Sequence, residues 1–135
     1  DLNKLGIYHN KTQTLKFPNI SDELISHFIR GYFDGDGCLY INENRMTHSL
    51  LSIIATPIMC DEFKRIIVEK LDINVNIRKL NKNQISTSTI FIDGGEQQEI
   101  FLDYIYKNAI FYLKRKYEKY KQFKLYRLKI KEENE

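Results

Sequence analysis

The apolar positions of the chain follow a helical period near its start. Between residues 24 and 33 they recur every three to four residues, which predicts an amphipathic helix that begins after Ser21. Gly35 and Gly37 are expected to end this helix, because glycine disfavours helical backbone. Residues 1–20 show no sustained period, and we interpret them as an N-terminal arm or linker.

Two strands and a second helix follow. Residues 38–44 alternate between apolar and polar side chains, which is typical of a half-buried strand. Residues 48–56 form a second strand, and its stretch 50–55 is apolar apart from one serine, which predicts an inner strand of a sheet. Pro57 ends that strand. Residues 61–71 then carry the apolar stripe of an amphipathic helix.

The pattern of two strands and a helix then repeats. Residues 73–80 alternate, residues 84–92 are rich in β-branched side chains, and residues 96–107 return to helical spacing. A last helix is predicted over residues 112–130. The complete order is α-ββ-α-ββ-α-α, which predicts a mixed α+β fold.

Length and composition suit one domain with a hydrophobic core. The chain has 135 residues, of which 42% are hydrophobic. We place the domain at residues 21–131 and expect an acidic tail at 132–135. No stretch has the roughly 18 consecutive apolar residues of a membrane span, and no signal peptide is visible. Cys38 and Cys60 lack metal-binding spacing, so we expect free thiols in an intracellular compartment: the cytoplasm, the nucleoid or, in a eukaryote, an organelle.

Charge is distributed unevenly along the chain. The net charge is only +3, yet residues 112–131 contain nine basic side chains and one acid. The rest of the chain carries 12 basic and 17 acidic groups. A basic segment on an acidic domain is typical of nucleic-acid binders, and a solvated lysine-rich helix is the alternative that charge alone leaves open.

Two acids and two glycines stand together at the end of the first predicted helix. Gly31 and Gly35 are four residues apart, so they share one helix face, on which a second helix can approach closely. Asp34 and Asp36 lie at the negative end of the helix dipole, which disfavours anions by about 0.3–1 kcal/mol each. Carboxylates there make most sense if a cation neutralises them, which points to a metal site at a helix interface.

The stretch 29–37, Ile-Arg-Gly-Tyr-Phe-Asp-Gly-Asp-Gly, resembles the LAGLIDADG motif of homing endonucleases. The predicted element order also matches the fold of that family, with an extra C-terminal helix, over about residues 21–125. The resemblance implies a site-specific endonuclease that hydrolyses double-stranded DNA with Mg²⁺, for which Mn²⁺ is a possible substitute. It further implies that two motif helices pack together, in a homodimer or between two halves of one chain, and that the antiparallel sheet forms a saddle on the DNA.

The resemblance assigns roles to particular residues. By motif position, Asp36 is the catalytic, metal-binding acid, and the Gly35 carbonyl is an additional ligand. Asp34 is expected to bond to the helix end or to neighbouring backbone. The catalytic lysine that the family places at the start of the last helix is best matched by Lys116, with Lys114 second; a simple phosphate contact is the alternative role for Lys116.

One position departs from the family pattern. Family members often have a glutamine-type side chain after the second strand, where it orders water. A gapless comparison puts Thr56 or Ala55 there. The Thr56 hydroxyl partly meets the requirement and Ala55 does not, so the resemblance leaves the efficiency of cleavage open.

The sheet residues expected to face DNA are polar. Asparagine, glutamine and arginine side chains are the ones that bind adenine and guanine edges in the major groove. The strand pattern and the basic segment give these candidates for DNA contact: Tyr40, Asn42, Asn44, Asn74, Asn76, Arg78, Gln84, Ser86, Ser88 and Lys114. Exposed strand faces are commonly polar in any case.

Other functions remain open from the sequence. The fold also suits a non-cleaving DNA-binding regulator or an RNA-splicing maturase, and the plainest alternative is an α/β domain without a nucleic-acid role. Residues 1–20 resemble the linker before the second motif in two-motif family members, and the chain begins with Asp1 rather than methionine. We therefore weigh a C-terminal half of a longer protein, from an intron, intein or free-standing gene, against a homodimer.

Overall fold

The computed structural model describes residues 21–42, 49–80 and 87–133. The elements follow in the order α1 (Asp22–Asp36), β1 (Gly37–Ile41), β2 (Ser49–Ala55), α2 (Pro57–Leu71), β3 (Asn76–Leu80), β4 (Thr87–Phe91), α3 (Gly95–Tyr106) and α4 (Lys114–Glu133). The predicted mixed fold and element order are confirmed. None of the helices in the described ranges has the length and apolar character needed to cross a membrane.

The four strands form one antiparallel sheet in the order β1-β2-β4-β3. β2 is therefore an inner strand, as its apolar sequence predicted. Paired residues lie on the same side of the sheet, so Ile53, Ile77 and Ile90, which are aligned across three strands, share one face. That face is covered by helices, and the other has no covering element within the described residues.

The core lies between the covered sheet face and the helices. It contains Ile29 and Phe33 from α1, Phe63 from α2, Phe101 from α3 and Phe123 from α4, each at most 1% exposed. Aromatic rings join these elements: the Phe33 ring meets the Phe101 ring edge-to-face at 6.0 Å. Burial of such side chains stabilises the fold by roughly 1.5–3 kcal/mol each.

The end of α1 differs from the prediction. Gly35 does not stop the helix, which continues to Asp36 and passes into β1 at Gly37 without an intervening loop. The Gly37 N–H donates to the Phe33 carbonyl, so helical hydrogen bonding reaches the first strand residue. A Cβ at position 37 would collide with the Phe33 ring, so close packing requires glycine there.

Two other helices also begin or end away from the predicted residues. α2 starts at Pro57, because Thr56 accepts a hydrogen bond from the Met59 N–H at 3.2 Å and proline suits the first helical turn. α4 continues to Glu133, so the start of the predicted acidic tail is helical. The predicted arm at residues 1–20 lies outside the described residues.

The buried side of α3 includes a polar side chain. Gln98 is 1% exposed, whereas the apolar Ile100 is 44% exposed. The Gln98 amide donates to the Ser49 and Ile92 carbonyls at 3.0 and 2.8 Å. Because these carbonyls need hydrogen-bond donors, an amide side chain is buried at a position where the spacing of apolar residues predicts none.

Candidate metal and nucleic-acid site

Asp36 is the last residue of α1 and is exposed. Within residues 21–42, 49–80 and 87–133, its carboxylate has no hydrogen bond or ion pair. Its charge acts on Tyr32, whose hydroxyl has its pKa raised to about 12, first by burial and then by the nearby Asp36 and Cys60. A carboxylate without a partner at the negative end of a helix is a ready ligand for a cation.

Asp34, unlike Asp36, is hydrogen-bonded to other parts of the chain. One of its carboxylate oxygens accepts from the Tyr106 hydroxyl and the other accepts from the Leu113 N–H at 2.7 Å. Burial and the bond to Asp34 raise the pKa of Tyr106. The bond to Leu113 is of the predicted kind, a contact with neighbouring backbone. The structure thus separates the two acids: Asp34 is hydrogen-bonded to the protein, and Asp36 has no partner among the described residues.

Lys116 reaches the same end of α1 from the first turn of α4. Its ammonium donates to the Gly37 carbonyl and lies 5.4 Å above the Phe33 ring. Gly37 directly follows Asp36, so the Lys116 ammonium binds the backbone next to the residue that carries the carboxylate. Lys114, the first residue of α4, is exposed.

Sequence reasoning missed Arg30. It is 6% exposed, and its guanidinium donates to the Phe111 and Ile105 carbonyls, both at 2.8 Å. A third nitrogen lies 2.6 Å from His27 Nδ1. The sequence carried a signal for it, since a charged residue within an apolar helical stripe is buried only when its polar atoms find partners.

The face of α1 that carries Gly31 and Gly35 is bare. Both glycines are exposed, and no atom of the described residues within 4 Å would meet a Cβ at either position. Leu24, two turns before Gly31 on the same side, is 51% exposed. No side chain protrudes from this face at Gly31 and Gly35, and close packing of a second helix there stays a prediction.

The uncovered face of the sheet combines polar and apolar side chains. Its members, from the pairing of the strands, are Cys38, Tyr40, Leu50, Ser52, Ile54, Asn76, Arg78, Thr87, Thr89 and Phe91. The Arg78 guanidinium lies 5.2 Å from the centre of the Phe91 ring, and Asn76 donates to Asp93 at 2.8 Å. Tyr40 is 55% exposed.

The sequence model of the LAGLIDADG-like domain matches residues 23–106, which is more than half of the chain. The chain belongs to the LAGLIDADG family. A comparison with curated proteins finds no match.

Two solved structures share the LAGLIDADG fold with this chain. One is the archaeal intron-encoded homing endonuclease I-Vdi141I complexed with DNA, at 17% identity and a TM-score of 0.53, covering 79% of this chain and 67% of that one. The other is the homing endonuclease I-CvuI in complex with its target in the presence of 2 mM Ca, at 19% identity and a TM-score of 0.51, covering 78% of this chain and 68% of that one.

One predicted DNA-facing residue is wrongly placed. Ser88 lies on the covered face, fully buried, and its hydroxyl has no hydrogen-bond partner among the described residues. It is paired with Ala55 and Lys79, and it alternates with the core residue Ile90. Because Ile90 must lie on the covered face to be buried in the core, the alternate residues Thr87, Thr89 and Phe91 lie on the open face.

The other predicted contacts have mixed outcomes. Tyr40, Asn76 and Arg78 lie on the open face. Asn42 follows β1 and is half-buried. Asn74 precedes β3, exposed, with its N–H bound to Gln97 at 2.7 Å. Three further predicted contacts lie outside the described residues: Asn44, Gln84 and Ser86.

The position expected to order water has no glutamine-type side chain in this chain. Ala55 is 6% exposed at the end of β2. The Thr56 hydroxyl caps α2 by accepting from Met59, so its lone pairs are partly engaged. The departure from the family pattern therefore persists in the structure.

The donor set for a metal is small. No group of three or more histidine, cysteine, aspartate or glutamate side chains that could hold a metal occurs among the described residues. Asp36 and the Gly35 carbonyl are hard oxygen donors at an exposed end of α1, which fits a divalent cation that keeps waters and phosphate oxygens as its other ligands. These residues therefore suit a metal shared with a nucleic-acid phosphate.

Proposed function

We propose that the chain is one catalytic half of a site-specific DNA endonuclease that hydrolyses phosphodiester bonds with a divalent metal. The observation that carries this proposal is the approach of two side chains to the end of α1: the unpartnered Asp36 carboxylate and the Lys116 ammonium bound to Gly37. Asp36 would supply an anion for the metal, and Lys116, bound to the next residue along the chain, would supply a cation for the phosphate.

Asp36 and the Gly35 carbonyl would hold Mg²⁺, with Mn²⁺ as a substitute, and the metal would supply activation of a water and stabilisation of the leaving oxygen. Lys116 supplies a fixed positive charge toward the attacking water or the phosphate. The I-CvuI complex formed in the presence of Ca, another hard divalent cation, supports a site of this chemistry.

A double-strand cut needs two such sites, so a second motif helix is required. The bare face at Gly31 and Gly35 supports close packing of that helix, from a second copy of the chain or from the other half of a longer protein. The distance between the two helices would then set the distance between the two Asp36-type acids.

The open sheet face would lie on the DNA, whose major groove admits β-strands. Both similar structures are complexes with DNA or with a target, which supports this placement. Direct base contacts are assigned to Tyr40, Asn42, Asn76 and Arg78, and the half-buried Thr87 replaces Ser88. Asn44, Asn74, Gln84 and Ser86 remain proposed contacts, and exposed Lys114 would bind a phosphate.

The test is Asp36→Asn, with Asp61→Asn as the matched control because Asp61 is also an exposed helical acid. The substrate is a duplex that the wild-type protein selects from a randomised pool, hereafter the selected duplex. We expect Asp36→Asn to slow Mg²⁺-dependent cleavage on the order of 10³-fold, equivalent to about 4 kcal/mol, and Asp61→Asn to cleave normally.

Intact Mg²⁺-dependent cleavage by Asp36→Asn would refute this mechanism. Wild-type protein that shifts the selected duplex in a gel but nicks it neither with Mg²⁺ nor with Mn²⁺ would instead favour the non-cleaving regulator or maturase. Absence of any salt-sensitive affinity for duplex DNA would contradict both, because phosphate contacts release counterions and weaken steeply as salt rises.

A further inference from the structure

Two charged residues on α1, Arg30 and Asp34, both bind the α3–α4 segment, which comprises the last two residues of α3 and the connection to α4, residues 105–113. We propose that they are positioning residues, which fix the start of α4 and thereby set where Lys116 lies relative to Asp36. This inference rests on the proposed role of Lys116.

The contacts of the two residues alternate along the segment. Arg30 binds the carbonyls of Ile105 and Phe111, each at 2.8 Å. Asp34 binds the Tyr106 hydroxyl and the Leu113 N–H. Both ends of the connection are therefore held from the same helix, by side chains one turn apart.

Leu113 connects this attachment directly to Lys116. Its N–H is bound by Asp34 at 2.7 Å, and its carbonyl accepts from the N–H groups of Lys116 and Tyr117, both at 3.0 Å. Leu113 thus supplies the first helical hydrogen bonds of α4. A shift of Leu113 would move the first turn of α4 and the Lys116 ammonium with it.

Apolar burial does not hold residues 110 and 111, which follow Ala109, a partly buried residue that packs against the core. Ile110 is 81% exposed and Phe111 is 82% exposed. Tyr112 stacks on Tyr117 at 4.0 Å, but that contact links the segment only to α4 itself. The ring of Tyr106 meets the Phe33 ring of α1 at 6.2 Å. Beyond Tyr106, the hydrogen bonds of Arg30 to Phe111 and of Asp34 to Leu113 attach the segment to the helix that carries Asp36.

The chemistry of Arg30 suits this task. Its planar guanidinium offers several donors in a fixed fork, so one side chain reaches two carbonyls that lie apart in sequence. A buried cation also requires that its donors be satisfied, which makes loss of the arrangement costly. A lysine, with one compact ammonium, cannot reproduce the fork.

The first experiment measures the attachment without DNA, by amide hydrogen exchange in the full chain. The variant is Arg30→Met, and the matched control is Arg127→Met, which removes another mostly buried arginine bound to Glu99 at 3.3 Å. We expect Arg30→Met to accelerate exchange at Leu113, Lys116 and Tyr117 about 10-fold more than at core strand residues, as expected for loss of bonds to a charged group.

Arg127→Met should show no such excess at the start of α4. Equal acceleration at all amides in Arg30→Met, or none at the start of α4, would overturn the proposal. Because both variants remove a buried arginine, a general loss of stability affects them alike and does not imitate the expected pattern.

The second experiment is a double-mutant cycle of Arg30→Met and Lys116→Met on single-turnover cleavage of the selected duplex. Arg30→Met should slow cleavage about 10-fold, while its affinity for the duplex stays within about 2-fold. If Arg30 acts through Lys116, the double variant is no slower than Lys116→Met alone. Multiplication of the two effects would refute action through Lys116.

Failure of the proposed function gives a different result. Cleavage by Lys116→Met at the wild-type rate would show that Lys116 has no catalytic role, and the functional part of this inference would fall with it. A slow Lys116→Met beside a fast Arg30→Met would refute the positioning role alone.

Discussion

Two faces of α1 perform opposite tasks. The face with Arg30, Phe33 and Asp34 is tied to the rest of the domain by a buried ring and by hydrogen bonds to the α3–α4 segment. At Gly31 and Gly35, the opposite face has no atom of the described residues within 4 Å of where a Cβ would stand. Packing of the domain therefore uses one side of the motif helix and leaves the other side open within the described residues.

Among the substitutions that test the difference between the two faces, Gly31→Leu should have the largest effect. In the free chain, Gly31→Leu should raise the free energy of unfolding by about 0.5–1 kcal/mol, because leucine favours helix over glycine and meets no atom there. The same change should weaken association with a second copy by at least about 10-fold, since the side chain keeps the helices apart. Sedimentation over a dilution series and urea unfolding at low concentration measure the two quantities.

Gly31→Ala provides the graded control, with a smaller steric effect and a similar gain in helix propensity. A dimer as tight in Gly31→Leu as in the wild type would place the interface elsewhere. Lower stability of the dilute Gly31→Leu chain would show that this face is not free.

On the face of α1 that carries Arg30, Phe33 and Asp34, Tyr106→Phe tests how much the contacts with the rest of the domain stabilise the fold. This change removes a hydroxyl bound to Asp34, so we expect the free energy of unfolding at pH 7 to fall by about 1–2 kcal/mol. Tyr32→Phe removes no such bond and should change it by less than about 0.5 kcal/mol. Urea unfolding of both variants tests the contrast, and equal losses would contradict it.

The same tyrosines predict how stability depends on pH. Folding raises the pKa of Tyr106, and of Tyr32 to about 12, above the ordinary value of 10.0. The neutral hydroxyl is therefore favoured in the folded state, so its stabilisation is complete below pH 10 and is lost as the pH rises above it. Tyr106→Phe should make the decline of stability above pH 10 shallower, and an unchanged decline would exclude Tyr106 as its cause.

The smallest expected effect concerns the two lysines at the start of α4. Lys116 contacts the end of α1, whereas Lys114 is exposed. Lys114→Gln should reduce the slope of log affinity against log salt by about 0.9 and leave the cleavage rate of bound duplex unchanged. Gel shifts over a salt series, with single-turnover cleavage as the control, measure this; a slowed cleavage step would give Lys114 the role proposed for Lys116.

The sequence predicted the features that depend on periodicity. It did not predict helix ends or strand faces that are determined by tertiary contacts. Alternation and helical spacing predicted every element, and β2 as an inner strand. Gly35 was wrongly expected to stop α1, because the cost of one glycine is about 1 kcal/mol and packing on the tied face outweighs it. Ser88 was assigned to the wrong face, since polarity suggested exposure while Ile90 set the register.

The site followed the same division. Asp36, Asp34 and Lys116 could be named as candidates because the motif fixes their spacing or their helix, and their catalytic roles stay predictions. Arg30 was missed because its partners are carbonyls more than 70 residues away in sequence. Backbone acceptors are present at every position, so no sequence pattern reveals which ones a buried arginine will reach.

The direct passage of α1 into β1 at Gly37 has a mechanical consequence. Asp36 is the last residue of α1 and is adjacent to the first strand of the sheet, and no loop lies between them to absorb a displacement. Strain applied to the sheet by a bent duplex would therefore reach the acid without being dissipated in a flexible joint. Target sequences that differ in stiffness would be cut at different rates even where every base contact is identical.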